Sequence, residues 1–90
     1  MKLSVILVNN NLCDLLRQTL NALVNAGNGI DYEVFIIDNA STDKSVEMVH
    51  NEFPQFQVLL NDERQGVAKS YNHAIELSTG EYILLVSRIQ

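Results

Sequence analysis

The feature that most constrains this chain is an alternation of two hydrophobic periodicities, each segment closed by turn residues. Lys2 to Val8 is a Leu-rich, β-branched run that reads as a first strand. Leu12, Leu15, Leu16, Leu20, Leu23 and Val24 then recur at helical spacing, forming one apolar face of an amphipathic helix. Asn25-Ala26-Gly27-Asn28-Gly29 ends it, because glycine accepts the left-handed backbone that satisfies the last carbonyls. Tyr32 to Asp38 reads as a second strand. It is unbroken and apolar from Val34 to Ile37, as in a strand covered on both faces.

Asn39-Ala40-Ser41-Thr42-Asp43 is a polar turn with helix-start chemistry. Ser41 or Thr42 is expected to cap the free amides, and Asp43 to sit in the first turn. Val46, Val49 and Phe53 share a face of the second helix, which Pro54 stops. Phe56 to Leu60 is a third strand, and Asn61 to Gln65 a charged loop. Gly66 opens a third helix with Val67, Tyr71, Ala74, Ile75 and Ser78 on one face; Thr79-Gly80 ends it. Glu81 to Val86 is a fourth strand.

Connections of this length require parallel strands and right-handed crossovers. The sequence therefore predicts an α/β domain in three α/β/α layers, with a four-stranded, mainly parallel sheet. Its 90 residues make one domain or part of one. The last strand has no covering helix after it, so the chain reads as the front part of something longer. The hydrophobic share of 47% and charged share of 19% are those of a globular chain, not a disordered tail.

No apolar run approaches the roughly 18 residues of a membrane-spanning helix. The apolar opening stops at Asn9-Asn10-Asn11 without a cleavage site, so it reads as a strand and not a signal peptide. A soluble, cytoplasmic protein is expected. Six Lys plus Arg against eleven Asp plus Glu leave a net charge of −5, and the basic residues form no stripe, which argues against nucleic acid. Cys13 has no partner for a disulfide and is expected to be an inert thiol.

Open parallel sheets bind ligands at the carboxyl ends of their strands. The turn after the first strand has no Gly-x-Gly-x-x-Gly, and no Gly-x-x-x-x-Gly-Lys-Ser/Thr occurs, which excludes the common dinucleotide and P-loop signatures. His50 and His73 lack metal-ligand spacing and read as solvated helix positions. Asp38 closes an apolar strand at the ligand-binding edge. It either accepts hydrogen bonds from a base or ribose, or caps the helix beginning near Ser41.

Val5-Ile6-Leu7-Val8-Asn9-Asn10-Asn11 followed by Val34-Phe35-Ile36-Ile37-Asp38-Asn39-Ala40-Ser41-Thr42-Asp43 resembles the opening of a family 2 glycosyltransferase with the Rossmann-like GT-A fold. Asn61-Asp62-Glu63-Arg64-Gln65-Gly66-Val67-Ala68, Tyr71-Asn72-His73-Ala74-Ile75 and Thr79-Gly80-Glu81-Tyr82-Ile83-Leu84-Leu85 continue the resemblance in the family's order. It implies that residues 1–90 are the nucleotide-sugar-binding half of an incomplete GT-A domain, usually for a UDP-sugar. The parent reaction would be sugar transfer from a nucleoside diphosphate donor to an acceptor hydroxyl. By this resemblance Asp38 binds the base, Val8 and Asn9 line its pocket beside Asn39, and Arg64 with Gly66 approaches the nucleotide. In physical terms, Arg64 and the amino end of the helix after Gly66 favour an anion.

The chain departs from the family where Mn²⁺ or Mg²⁺ is held by an Asp-x-Asp motif. The corresponding Ser87, Arg88 and Ile89 include no carboxylate, so no metal site is expected in this chain. No catalytic residue is assigned either, since the family's base belongs to the acceptor-binding half, and the chain alone is expected to be inactive. The alternative is a non-catalytic nucleotide-binding or protein-interaction module with a degenerate GT-A fold. Either way, the incomplete sheet predicts self-association through the fourth strand.

Overall fold

Four strands, β1 (Lys2–Asn9), β2 (Asp31–Asn39), β3 (Gln57–Asn61) and β4 (Tyr82–Val86), alternate with three helices, α1 (Cys13–Ala26), α2 (Ser45–Glu52) and α3 (Ala68–Leu77). They are seen in a computed structural model, which describes residues 2–62, 66 and 68–86. The strands form one sheet in the order β3-β2-β1-β4, and every pairing in it is parallel. The three-layer α/β/α architecture is the one the sequence predicts.

Alternation along the central strands divides the core. Val5 and Leu7 of β1 and Val34 and Ile36 of β2 pack with Leu16 and Leu20 of α1 and Met48 and Val49 of α2. Their neighbours Ile6, Val8, Phe35 and Ile37 point the other way, onto Ala74 of α3. Val34, Phe35, Ile36 and Ile37 are each no more than 2% exposed, which explains the unbroken apolar run. Full burial contributes about 1.5–3 kcal/mol for each such side chain.

The two faces are unequal. On α3 only Ala74 is fully buried, and Ile75 and Leu77 stay exposed, so the predicted apolar face of α3 is narrower than its spacing suggested. On α1 the covered stripe is centred on Leu16 and Leu20, and Val24 lies outside it. Helix α2 begins at Ser45, several residues later than the turn chemistry implied, and its buried positions are Ser45, Met48 and Val49. Val46 is only half-buried as a result. Phe53 stacks on Phe56 with ring centroids 5.7 Å apart, closing the corner around Pro54.

At the amino ends of the strands a polar clasp joins β4 to the sheet. Glu33 Oε2 accepts the Ser4 hydroxyl at 2.6 Å and the Thr79 amide at 2.7 Å. The Gly80 amide donates to Ser4 Oγ at 3.0 Å, and Glu81 N–H to the Lys2 carbonyl at 2.8 Å. Burial would raise the Glu33 carboxyl, but the bonds from Ser4 and Thr79 and the charge of Lys2 hold it below its ordinary value. Beyond this clasp β4 is an edge strand, with Tyr82 to Leu85 each at least 40% exposed.

Candidate functional site

The chain adds β1, β2 and β3 outward in one direction and then crosses to the far side of β1 for β4. The strand order reverses at β1, and the crevice at its carboxyl end is where open parallel sheets place ligands. Parallel register sets Asn9 beside Asp38, and Asn39 beside Asn61. Four polar side chains thus gather at the same sheet edge, one pair on each face.

The Asn9–Asp38 pair faces the α1 and α2 layer and is buried, at 0% and 3% exposure. Asn9 Nδ2 donates to Asp38 Oδ1 at 3.1 Å and to Ser41 Oγ at 3.3 Å. Asp38 Oδ2 accepts the Ser41 backbone amide at 3.1 Å. Both carboxylate oxygens are therefore engaged within the chain, much as the capping alternative supposed, although Ser41 precedes the helix. The carboxylate fixes the amide of Asn9 with its nitrogen inward. Asn9 Oδ1 is then buried without a hydrogen-bond partner among the described residues. An orphaned buried acceptor costs about 1–3 kcal/mol.

The other pair faces α3. Asn61 Nδ2 donates to Asn39 Oδ1 at 2.9 Å and to the Asp62 carbonyl at 3.0 Å, while Asn61 Oδ1 accepts the Ser70 hydroxyl at 2.6 Å. Asn61 belongs to β3 and is buried, not part of the loop that the sequence placed there. Asn39 is half-buried and leaves its own amide nitrogen unused among the described residues.

Above these pairs, the loops after β1 and β2 are tied to one another. Asn11 Oδ1 accepts the amides of Thr42 at 2.8 Å and Asp43 at 3.1 Å, and the Asn11 amide donates to Ser41 Oγ at 2.9 Å. Asn10 Nδ2 donates to the Asn39 carbonyl. Asn11 and Ala40 both hold φ of +54°, a left-handed conformation costly for residues with a Cβ. Asp43 bridges the two helix starts. Its Oδ2 accepts the amide of Cys13, first residue of α1, and its Oδ1 the amide of Ser45, first residue of α2, at 3.0 Å. Neither Leu12 nor Lys44 caps these helices with its side chain. Burial would raise the Asp43 carboxyl, yet the bonds from Ser45 and Cys13 outweigh it and hold the group below its ordinary value.

Of the residues singled out by sequence, the structure brings Asn9 and Asp38 into contact and sets Asn39 on the next strand position. Val8 is buried in the α3-side cluster with Ile6, Phe35, Ile37 and Ala74. Gly66 is exposed with φ of +70°, which suits glycine. Arg64, Ser87, Arg88 and Ile89 lie outside the described residues. Burial raises the Cys13 thiol above its ordinary value; nearby Arg17 pulls it down, and Asp43, Asp14 and Glu52 push it up. Sequence reasoning missed Asn11 as the link between loops and Asp43 as a shared cap. Among the described residues no three His, Cys, Asp or Glu side chains converge, so these do not assemble the donor set of a divalent ion. No described helix is long and apolar enough to cross a membrane.

Comparison with known proteins bears on the fold and the family. Over 91 residues the chain is 33% identical to the poly(ribitol-phosphate) beta-glucosyltransferase of Bacillus spizizenii, covering 96% of this chain and 14% of that protein. The mannosyltransferase PcManGT of Pyrobaculum calidifontis, solved with GDP-Man and Mn²⁺, superposes with a TM-score of 0.67 at 26% identity. That match covers 90% of this chain and 25% of the mannosyltransferase. The chain thus spans a quarter or less of the length of these relatives. The family model described as Glycosyl transferase family 2 matches residues 4–87, nearly the whole length, and the chain belongs to that family.

Proposed function

We propose that this chain is the donor-binding half of a glycosyltransferase, holding a nucleoside diphosphate sugar at the carboxyl edge of β1 and β2. The observation that carries the reading is the register of Asn9 with Asp38 at the carboxyl end of β1, where strand order reverses, with Asn39 and Asn61 paired on the neighbouring strands β2 and β3. Val8 and the buried Asn9–Asp38 pair form the floor, and half-buried Asn39 is the polar side chain at the rim. Gly66 and Arg64 are the residues proposed to meet the diphosphate, Arg64 on the grounds of sequence alone. A uridine nucleotide is the expected donor, and the mannosyltransferase neighbour, which holds GDP-Man, supports the broader nucleotide-sugar class. Donor binding through these groups proceeds without a divalent ion in this chain.

Calorimetry with UDP, GDP and dTDP, each with and without EDTA, tests the reading. Weak binding of at least one nucleotide, unchanged by the chelator, is the expected result. Asn39→Ala should weaken it about tenfold, the effect of one lost hydrogen bond of about 1.4 kcal/mol. Asp38→Ala should abolish it, with Asp38→Asn as the variant that preserves the buried volume. Absence of heat with every nucleotide would leave the interaction-module alternative standing.

A further inference from the structure

We propose that Asn11 is a positioning residue that makes the two loops above the sheet one rigid rim of the nucleotide pocket. The inference rests on the donor-site reading. An asparagine in the left-handed conformation ordinarily bonds its own neighbouring backbone. Here the side chain instead reaches across to residues 31 and 32 positions away, where Oδ1 receives the amides of Thr42 and Asp43. The Asn11 amide returns a bond to Ser41 Oγ, which also receives Asn9 Nδ2. Ser41 in turn donates its amide to Asp38. Asn11 therefore couples the exposed rim to the buried pair through a closed circuit of hydrogen bonds.

Two features separate this from an ordinary turn. Asn11 and Ala40 take the left-handed backbone one on each loop, and at Ala40 the strain of a Cβ persists because the surroundings over-determine the backbone. Asn11 is also exposed, so water competes for its bonds and they add little to global stability. What they fix is the spacing between the loops, and with it the alignment of Asn39 and the backbone around Ala40. A rim set before the ligand arrives lowers the ordering cost of binding.

The test compares Asn11→Gly and Asn11→Asp with the parent chain, by calorimetry with UDP, GDP and dTDP well below the unfolding temperature. Asn11→Gly relieves the left-handed backbone but removes the acceptor; affinity should fall about tenfold while Tm changes little. Asn11→Asp keeps an acceptor and tolerates the same backbone; at about 0.5 M salt, which shortens the reach of the added charge, it should recover most of the affinity that Asn11→Gly loses. Hydrogen exchange supplies a readout independent of ligand. In Asn11→Gly the Thr42 and Asp43 amides should exchange faster, with the interior of α1 unchanged. Undiminished affinity in Asn11→Gly overturns the inference while the donor site stands. So does a parallel fall of affinity and Tm that Asn11→Asp fails to rescue. A parent chain that binds none of UDP, GDP and dTDP overturns the donor-site reading and this inference together.

Discussion

The carboxylate of Asp43 accepts the backbone amide of Cys13 at 3.2 Å, although 30 positions separate them. The same carboxylate receives the amide of Ser45, so one side chain closes the first turn of both α1 and α2. Because Leu12 and Lys44 offer no side-chain cap, each helix start depends on a residue in the loop between β2 and α2.

Replacing Asp43 should cost more than an ordinary cap. A single lost N-cap costs about 0.5–2 kcal/mol. Asp43→Ala removes acceptors from two helices, and urea unfolding should show a loss of about 1–3 kcal/mol. Asp43→Asn retains one acceptor oxygen and should lie between the parent and the alanine variant.

Acid should reproduce part of that loss. Asp43 and Glu33 are both held below their ordinary values of 3.8 and 4.5. A depressed carboxyl contributes stability that is fully present above its unfolded value and disappears as pH falls through the folded one. Urea midpoints should therefore be level near neutrality and decline from about pH 5 downward. The decline should be shallower in a variant carrying Asp43→Asn and Glu33→Gln.

Ala40→Gly should stabilise the chain. Ala40 sits at φ of +54°, where a Cβ costs about 1–2 kcal/mol, and glycine returns part of that through its freer unfolded state. A net gain of about 0.5–1 kcal/mol should raise Tm by several degrees, read from a thermal scan.

Gly80→Ala should act in the opposite direction. A Cβ there would stand 2.8 Å from the Ser4 nitrogen and 3.0 Å from the Lys2 carbonyl, both backbone atoms that cannot turn aside. The cost should be about 1–3 kcal/mol, the scale of overpacking, and Ser4→Ala should not restore it.

The exposed side of β4 should drive self-association. Tyr82, Leu84 and Leu85 are 59%, 47% and 52% exposed on an edge strand, and no charged residue interrupts them. Sedimentation should show mass rising with concentration, and Leu84→Lys should suppress the rise. A monomer at every concentration would contradict this.

The fold was legible because each strand and helix carries its own local signal. Val34 to Ile37 announces a strand covered on both faces, and Leu16 and Leu20 announce the phase of α1. What stayed hidden depends on residues distant in sequence. The run from Asn39 to Asp43 offers several capping side chains at once, and nothing local says that Asp43 is the one used or that α2 waits until Ser45. The α2 face consequently centres on Met48 and not on Val46. Asn61 looked like loop because it is polar, yet its register with Asn39 draws it into β3. Asp38 was recognisable as an end-of-strand acid, but its engagement with Asn9 and Ser41 required the third dimension. Asn11 gave no signal beyond being one of three consecutive asparagines.

The place of β1 between two partners governs the order in which the molecule can assemble. Its Leu3–Leu7 segment pairs with Tyr82–Val86, at the opposite end of the sequence. On the ribosome β1 emerges long before β4 is synthesised, and in that interval one flank of this central strand stays unzipped. Residues with such distant mates close slowly because a long loop must first be constrained. Early nascent chains therefore display an adhesive β1 margin, a natural target for chaperones until β4 arrives to cover it.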